Sequence, residues 1–218
     1  MAADTEGTLV RLPAPADPAA LGLGGFALTT FVLSVHNAGW APDLTWLGLA
    51  FFYGGIAQFT AGMWEFRNRN TFGAAAFGSY GAFWMSLAFF VLLDLFGKIP
   101  AGDVTTDLGW YVVAFAIFNT YMMFWSLRVN VAVFGVFLVL EITEILLAIG
   151  YFTGIALITK IGGYAGILDA LIAWYASAAV VIGTMTDHTV LPVGKPLWTD
   201  HPHSPGATAA PGREAHAT

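Results

Sequence analysis

Six long apolar stretches, separated by short polar or charged segments, dominate the hydrophobic pattern of the chain. Each is long enough to form an α-helix that crosses a bilayer core of about 30 Å, which takes about 20 residues. The pattern therefore predicts an all-α integral membrane protein with six transmembrane helices. The predicted spans are 20–38, 43–65, 72–96, 108–128, 130–152 and 162–185.

Polar segments at both ends bound this helical region. Residues 1–16 offer little apolar surface, and they lack the basic segment and short apolar core of a cleavable signal peptide. The sequence predicts a mobile N-terminal tail over 1–16, a six-helix transmembrane domain over 17–190 and a polar, proline-rich C-terminal tail over 191–218.

Basic residues predict how the helices are oriented. With a cytoplasmic N-terminus, more of them fall on the cytoplasmic side than on the opposite side, in agreement with the positive-inside bias of membrane proteins. Six spans then return the C-terminus to the cytoplasm. The cytoplasmic residues are Arg11, Arg67, Arg69, Arg128, Lys195 and Arg213, and the opposite ones are Lys98 and Lys160.

Composition narrows the class of protein further. Hydrophobic residues make up 57% of the 218 residues and charged residues 10%, which excludes an ordinary soluble domain. The absence of cysteine excludes disulfides, thiolate metal sites and cysteine nucleophiles. The net charge of −6 gives no reason to expect nucleic-acid binding. With no nucleophile–base pair or ligand cluster in the sequence, we expect neither an enzyme nor a cofactor or metal.

The stretch Asp17–Asn37 combines an apolar helix with residues that disturb a regular helix. Pro18 and three glycines disfavour a regular first turn, and irregular backbone persists in a bilayer only where protein or a cavity surrounds it. Three hydroxyls follow, so the stretch predicts part of a solute pathway; alternatively, the glycines only permit tight helix packing. The glycines are Gly22, Gly24 and Gly25, and the hydroxyls belong to Thr29, Thr30 and Ser34.

Two further polar positions lie inside apolar spans. Gln58 falls in the middle of the second span, where its amide needs hydrogen-bond partners or water. A clamp between helices and a role in lining a pathway fit it equally well. Tyr80 follows Ser79 and lies between Gly78 and Gly81 on the third span, so its hydroxyl could face a lumen, although membrane aromatics more often pack in the core.

Short motifs recur along the chain at Asp-Pro-x-x-Leu-Gly-Leu (17–23), Phe26, Thr29-Thr30, His36-Asn37, Tyr53-Gly-Gly-Ile-Ala-Gln58, Asn70-Thr-Phe-Gly73, Ser79-Tyr80-Gly81, Leu146-Leu-Ala-Ile-Gly150 and Leu191-Pro192. In order and spacing, this set resembles the acetate uptake transporter family, and most closely its succinate–acetate permease group. The resemblance covers roughly residues 17–195. The opening motif departs from the family's usual Asn-Pro-x-Pro, because Asp17 replaces the asparagine and Ala20 replaces the second proline.

The resemblance implies a six-helix protomer, a homohexameric ring and a separate narrow pathway through each protomer. Relatives are described both as channels and as proton-coupled transporters of acetate, other small monocarboxylates and, in some cases, succinate. The resemblance also implies a constriction at Phe26, Tyr80 and Leu140, where an apolar neck can gate by dewetting. Eight further residues are assigned to the substrate pathway. They are Leu21, Gly22, Thr29, Thr30, Ser34, Asn37, Gln58 and Ser79.

Two acidic residues stand out inside the fifth predicted span. A carboxylate in mid-bilayer costs about 2.5–3.5 kcal/mol on insertion scales, and the spacing of Glu141 and Glu144 puts them on one helix face. Glu144 also lies one turn beyond Leu140. We hypothesise that burial keeps one glutamate protonated, so that it relays or senses protons beside the constriction. The alternative is a neutral pair, hydrogen-bonded between helices or subunits.

The remaining ionisable residues are interpreted as structural. His36, at the end of the first span, fits a capping or loop-anchoring role at least as well as gating. Glu65 and Asp94 lie near span ends, where solvation is easy, and Asp169 is expected to pair with another helix. Histidines in a flexible segment rarely form a specific metal site. Those at or beyond the end of the last span are His188, His201, His203 and His216.

The sequence thus predicts a multi-pass protein of the cell membrane that moves acetate and related small carboxylates, with protons as a candidate co-substrate. Two alternatives stay open: an acetate-binding membrane sensor that signals through its tails, and a pore for another small anion such as formate. The tails are short and carry no recognisable effector domain, which favours transport. A flux measurement would separate transport from sensing.

Overall fold

The computed structural model describes residues 15–42 and 44–199, and within these ranges the chain is helical, without any strand. Among the described residues, five helices are long and apolar enough, by length and composition, to cross a membrane. The helical elements are α1 (Ala19–Asn37), α2 (Trp46–Phe51), a π-helix (Phe52–Ala57), α3 (Gln58–Arg67), α4 (Thr71–Leu95), α5 (Val104–Ser126), α6 (Val131–Thr153) and α7 (Ala156–Met185).

Several predictions fall on residues 1–14, 43 and 200–218, which lie outside the described residues. Most of the predicted N-terminal tail, the distal part of the predicted C-terminal tail and three tail histidines therefore stay predictions, as do two of the basic residues used for orientation. These residues are His201, His203, His216, Arg11 and Arg213.

The five apolar helices, α1 and α4 to α7, lie close to predicted spans. The largest difference is at α7, which begins at Ala156 rather than at residue 162. The helix starts this early because Gly154, with a φ of 66°, ends α6 in a left-handed conformation and reverses the chain at once.

The second predicted span, 43–65, folds as three consecutive segments rather than as one regular helix. α2, the π-helix and α3 follow one another from Trp46 to Arg67 without an intervening loop. The π-helix contains the adjacent glycines Gly54 and Gly55, both buried. Among the described helices, this segment departs from α-helical geometry inside a predicted span. π-Helical turns inside longer helices occur frequently at functional sites.

The prediction of an irregular first third of α1 is wrong. The chain is α-helical from Ala19 onwards, and the glycines serve close packing instead. A side chain at Gly25 would lie 2.6 Å from the carbonyl oxygen of Tyr53, and one at Gly22 would lie 2.6 Å from the Phe77 ring. The alternative interpretation, that the glycines permit tight packing, describes α1 correctly.

α1 packs against α7 on one side and against the π-helix and α3 on the other, while α6 packs between α5 and α7. Asparagine side chains cap the N-termini of two of the long helices. The Oδ1 atoms of Asn70 and Asn130 accept hydrogen bonds from the backbone N–H groups of Gly73 and Val133, at 3.0 and 2.9 Å. These caps start α4 and α6 at the same end of the bundle as the N-terminus of α1.

The chain after α7 folds back onto the turn between α5 and α6. The carbonyl oxygen of Leu127 accepts hydrogen bonds from the backbone N–H groups of Leu197 and Trp198, at 2.8 and 3.0 Å. The Trp198 ring stacks on Trp125 at a centroid distance of 5.9 Å, and the Arg128 guanidinium lies 5.3 Å from the centre of the same ring. The first residues of the predicted C-terminal tail are thus a packed part of the helical domain.

Candidate functional site

Three buried side chains from α1, α4 and α6 meet in the middle of the bundle. Phe26, Tyr80 and Leu140 are 5%, 3% and 7% exposed, and the rings of Phe26 and Tyr80 pack edge to face with centroids 5.8 Å apart. All three belong to one apolar core, which also contains Phe137 and Met122. We call Phe26, Tyr80 and Leu140 the central cluster.

A cavity of about 220 Å³ lies on one side of the central cluster. The N-terminal ends of α1, α4 and α6 reach it, together with side chains of α3. Because the free N–H groups at helix N-termini carry partial positive charge, this convergence favours an anion. We call this space the Asn70 cavity; its polar wall residues are Asp17, Gln58, Glu65, Asn70 and Asn130.

A smaller cavity of about 50 Å³ lies on the other side of the central cluster. Along α1, wall residues up to Phe26 belong to the Asn70 cavity and those from Phe26 onwards to the smaller one; the same division occurs at Tyr80 in α4 and at Leu140 in α6. These three residues are the ones that both walls share. We call this space the Thr30 cavity; its polar wall residues are Thr30, Ser34, Asn37, Thr143 and Glu144.

A third cavity, of about 420 Å³, lies beside the Asn70 cavity. Residues 186–191, where α7 ends and the chain folds back, form part of its wall. The two cavities share four wall residues, so they are neighbouring spaces at one end of the bundle. We call the third space the Asp187 cavity; the shared residues are Leu23, Asn130, Val133 and Val180.

Half of the predicted pathway residues line one of the two cavities at the central cluster. Gln58 lines the Asn70 cavity, and Thr30, Ser34 and Asn37 line the Thr30 cavity. Within the described part of the chain, Oε1 of Gln58, Oγ1 of Thr30 and Nδ2 of Asn37 have no hydrogen-bond partner. Buried polar atoms of this kind need water or a solute to satisfy them.

The other predicted pathway residues lie outside the walls of both cavities. Leu21 is 42% exposed, and Gly22 is buried in the packing of α1. Thr29 is fully buried, but its side chain packs against Gly54 of the π-helix. Ser79 is half-buried on α4. The structure therefore does not bring these four residues to the central cluster's cavities.

Glu65 is buried, although its position near the end of the second span indicated easy solvation. Its side chain is 1% exposed and lines the Asn70 cavity. Gly73 leaves room for it, because a side-chain carbon at Gly73 would lie 2.7 Å from Oε1 of Glu65 and 2.6 Å from Nδ2 of Asn70. The start of α4 is thus shaped around this carboxyl group.

A polar network joins the central cluster to α5. The Tyr80 hydroxyl lies 3.0 Å from Oδ1 of Asn119 and 3.3 Å from Oε1 of Glu144, and it can donate to either. Nδ2 of Asn119 donates to a backbone carbonyl of α6 at 2.9 Å and to Oε2 of Glu141 at 2.7 Å. The Thr120 hydroxyl donates to Oε1 of Glu141, also at 2.7 Å.

The two glutamates of this network occupy different environments. Glu144 is 4% exposed, lines the Thr30 cavity and touches Tyr80. Glu141 is half-buried, is bonded to α5 and lies outside both cavity walls. Of the pair, Glu144 therefore lies beside the central cluster, whereas Glu141 fits the alternative of a hydrogen-bonded link between helices.

Sequence reasoning missed Asn119, which is fully buried at the centre of the network. A signal was present, because a single amide inside an apolar span needs partners just as Gln58 does.

Asp169 lacks the partner that the sequence predicted for it. It was expected to pair with another helix, yet neither of its carboxyl oxygens has a hydrogen-bond partner among the described residues.

His36 takes a loop-anchoring position rather than one beside a cavity. Its Nδ1 atom lies 2.9 Å from the carbonyl oxygen of Ala41, in the loop after α1. Within residues 15–42 and 44–199, no group of three or more histidine, aspartate or glutamate side chains is arranged to hold a metal ion.

In the described part of the chain, five apolar helices of membrane-spanning length and two cavities that meet at the central cluster are the architecture of a multi-pass α-helical membrane protein. The sequence pattern of the GPR1/FUN34/yaaH family matches residues 8–195, and the chain belongs to this family. The resemblance to the acetate uptake transporter family that the motifs predict is confirmed.

Relatives and one solved structure resemble the chain over most of its length. The succinate-acetate/proton symporter SatP of Escherichia coli K12 is 39% identical over 83% of this chain and 96% of its own length. Ammonia transport outward protein 2 of Saccharomyces cerevisiae is 41% identical over 77% of this chain, which spans only 63% of that yeast protein. The structure described as the bacterial acetate channel SatP has a TM-score of 0.79 at 39% identity, covering 83% of this chain and 99% of the other.

Proposed function

We propose that this protein moves acetate and related small carboxylates, with succinate among the candidates, across the cell membrane. The observation that carries the proposal is that the Asn70 cavity and the Thr30 cavity meet at Phe26, Tyr80 and Leu140. A solute passing between them has to displace these three side chains. The names of the bacterial relative and of the solved structure, which both include acetate, support the substrate class.

The segmented second span serves in this proposal as the sixth crossing. α2, the π-helix and α3 run from Trp46 to Arg67 without a break, and 22 helical residues at about 1.5 Å each reach across a bilayer core. With six crossings, both termini are cytoplasmic, in agreement with the positive-inside bias. The Asn70 cavity then faces the cytoplasm.

The protomers form a homohexameric ring in this proposal, each with its own pathway. Large apolar side chains on the outer faces of the long helices, such as Trp110 of α5 and Leu157 of α7, are 65% exposed in the single chain. Contact with lipid and with neighbouring protomers would cover them.

No catalytic role is assigned, because cavities shaped by packing and amide groups suit the passage of a solute rather than bond cleavage.

The walls suit a small carboxylate on its way to the central cluster. Helix N-termini favour its negative charge in the Asn70 cavity, and the amides of Gln58 and Asn70 can replace part of its hydration. The carboxyl groups of Asp17 and Glu65 in the same wall oppose that charge. An acetate that gains a proton avoids this repulsion and passes the apolar cluster as neutral acetic acid, whose methyl group tolerates an apolar neck.

Proton coupling is proposed to run through Glu144. Its contact with Tyr80 places a carboxyl group next to the residue that closes the pathway, and its position in the Thr30 cavity gives it access to the substrate. Glu141 serves mainly to hold α5 and α6 together through Asn119 and Thr120.

Uptake of labelled acetate into proteoliposomes of the purified full chain tests the proposal. Empty liposomes control for acetic acid that crosses lipid unaided. We expect uptake above this background and faster uptake by L140A, which widens the central cluster. L138A is the matched control, because Leu138 lies on the exposed face of the same helix.

Accumulation against the acetate gradient only with an inward proton gradient indicates symport, whereas equilibration without accumulation indicates a channel. Uptake of formate or methylammonium without acetate uptake assigns another solute. Absence of uptake for all three solutes contradicts the proposal and favours an acetate sensor.

A further inference from the structure

Asp169 is a buried acidic residue that the proposed pathway does not yet use. It lies on α7 between Gly166 and Ala173, each about one turn away on the same helix face. Gly166 packs against Ser34 and Thr143, and Ala173 belongs to the apolar core around the central cluster. Asp169 therefore faces the bundle interior at the level where the Thr30 cavity meets that cluster.

The carboxyl group of Asp169 is isolated. Its side chain is 0% exposed, and within the described residues neither Oδ1 nor Oδ2 has a hydrogen-bond partner. No lysine, arginine or histidine of residues 15–42 and 44–199 is buried. Because an ionised carboxylate without a partner is strongly disfavoured in such surroundings, the closed cluster holds Asp169 as a neutral acid.

Three titratable groups lie on the helices around this position. Glu144 of α6 follows Thr143, which packs against Gly166 one turn from Asp169, and its carboxyl group contacts Tyr80 of α4. Glu141 joins them through Asn119 of the polar network. α1, which also packs against α7, carries one ionisable residue, His36, and its ring is bonded to the loop beyond the helix. Of these groups, Glu144 combines a carboxyl group with a place in the wall of the Thr30 cavity, so it is the candidate proton acceptor.

One carboxyl oxygen of Glu144 is also without a hydrogen-bond partner among the described residues. Its Oε1 atom is engaged by Tyr80, whereas Oε2 has no partner in the described part of the chain. A buried carboxyl group with an unpartnered oxygen is unfavourable in free energy. Sharing a proton with a second carboxyl group, or contact with water, lowers that cost. Opening of the central cluster, which admits water, and proton exchange between the two groups therefore favour each other.

We propose that Asp169 is a second proton-binding residue of this pathway and exchanges its proton with Glu144 when the central cluster opens. In the transfer, water admitted by the open cluster first takes the proton of Glu144, whose O–H bond breaks. The O–H bond of Asp169 then breaks as a new O–H bond forms on the Glu144 carboxylate, and water solvates the Asp169 carboxylate. Acetic acid or hydronium in the cavity then returns a proton to Asp169. The inference rests on the proposed acetate transport and deepens its proton coupling.

Infrared spectroscopy of the purified full chain tests proton binding without transport. The C=O stretch of a protonated, buried carboxyl group should be present at neutral pH and should lose intensity in D169N. Asparagine keeps the shape of the side chain and cannot ionise. D107N is the matched control, because Asp107 is exposed in the first turn of α5. A band unchanged in D169N contradicts the inference.

Acetate uptake into proteoliposomes supplies the second measurement. The ratio of uptake rates at acidic and neutral external pH should fall by about fivefold in D169N, with D107N unchanged. Thermal unfolding of D169N close to that of the natural chain excludes a folding defect as the cause. A residue with a merely structural role would leave this ratio unchanged.

The two ways of failing are distinguishable. If the natural chain takes up no acetate, the proposed function is wrong and this inference falls with it. If the natural chain takes up acetate and D169N keeps both the infrared band and the pH ratio, only this inference is overturned. Should D169N unfold, the infrared and uptake comparison of E144Q with the natural chain decides, because a pathway through both groups requires the same flattened pH ratio.

Discussion

The Asn70 cavity and the Thr30 cavity end on the same three side chains but differ in size and in surroundings. The first has a volume of about 220 Å³, neighbours the still larger Asp187 cavity and receives three helix N-termini. The second has about 50 Å³ and lies among hydroxyls, an amide and Glu144. The first therefore suits a hydrated anion, whereas the second has room for little more than a few water molecules.

In the proposed transport, this difference assigns selection to the larger cavity and proton exchange to the smaller one. A carboxylate can enter the larger cavity with part of its hydration shell, attracted by helix N-termini. To pass the central cluster into the smaller cavity it has to lose that shell, which is easier for the neutral acid. Glu144, the ionisable group in the wall of the smaller cavity, lies on the side where dehydration is greatest.

The largest expected effect comes from filling the larger cavity. Val136 is 4% exposed in its wall, so an indole in V136W occupies the space and blocks the route. We expect acetate uptake to fall at least about tenfold, or ~1.4 kcal/mol in barrier height. L138W, on the exposed face of α6, should transport normally.

A tryptophan introduced into the wall of the smaller cavity tests the difference in size between the two cavities. The Thr30 cavity is too small for an indole, so T143W should lower the free energy of unfolding by about 1–3 kcal/mol through overpacking. Thermal unfolding compares it with V136W. If T143W is as stable as V136W, the difference in cavity size is wrong.

A smaller effect is expected from neutralising the glutamates of α6. E144Q should retain transport but flatten its dependence on external pH by about fivefold, because an amide cannot carry a proton. E141Q, outside both cavity walls, should change the pH profile less. The measurement is uptake as a function of external pH; an unchanged profile in E144Q rules out the relay.

The smallest expected effect concerns the amide in the larger cavity. Q58L removes an oxygen that has no partner among the described residues and thus a hydrogen bond of about 0.5–1 kcal/mol to hydrated substrate. The KM for acetate should rise about threefold. S79A, at a position outside both walls, should leave KM unchanged; equal effects of the two substitutions would contradict the assignment of cavity walls.

Sequence reasoning predicted the helical class and most helix positions because long apolar runs have few alternatives in a bilayer. Motifs that resemble a known family singled out Phe26, Tyr80 and Leu140, which lie far apart in sequence yet pack together. Their roles stay proposals. The irregular backbone was assigned to the wrong element, since glycines that allow a helix to approach its neighbours resemble glycines that break it.

Other features depend on three-dimensional neighbours that no local pattern reveals. Thr29 and Thr30 are adjacent in sequence, but one faces the π-helix and the other a cavity. The C-terminal segment packs against the turn between α5 and α6 because Trp198 contacts Trp125 and Arg128 there. Asn119 was detectable as a lone amide in an apolar span, although its three partners were not.

We propose above all that the central cluster separates two spaces that open to opposite sides of the membrane. The absence of cysteine in the natural chain allows single cysteines to report on this directly. With V133C in the larger cavity and N37C in the smaller one, a membrane-impermeant thiol reagent is added to one side at a time. We predict that V133C reacts only from the cytoplasmic side and N37C only from the opposite side. Reaction of both from the same side would contradict the account.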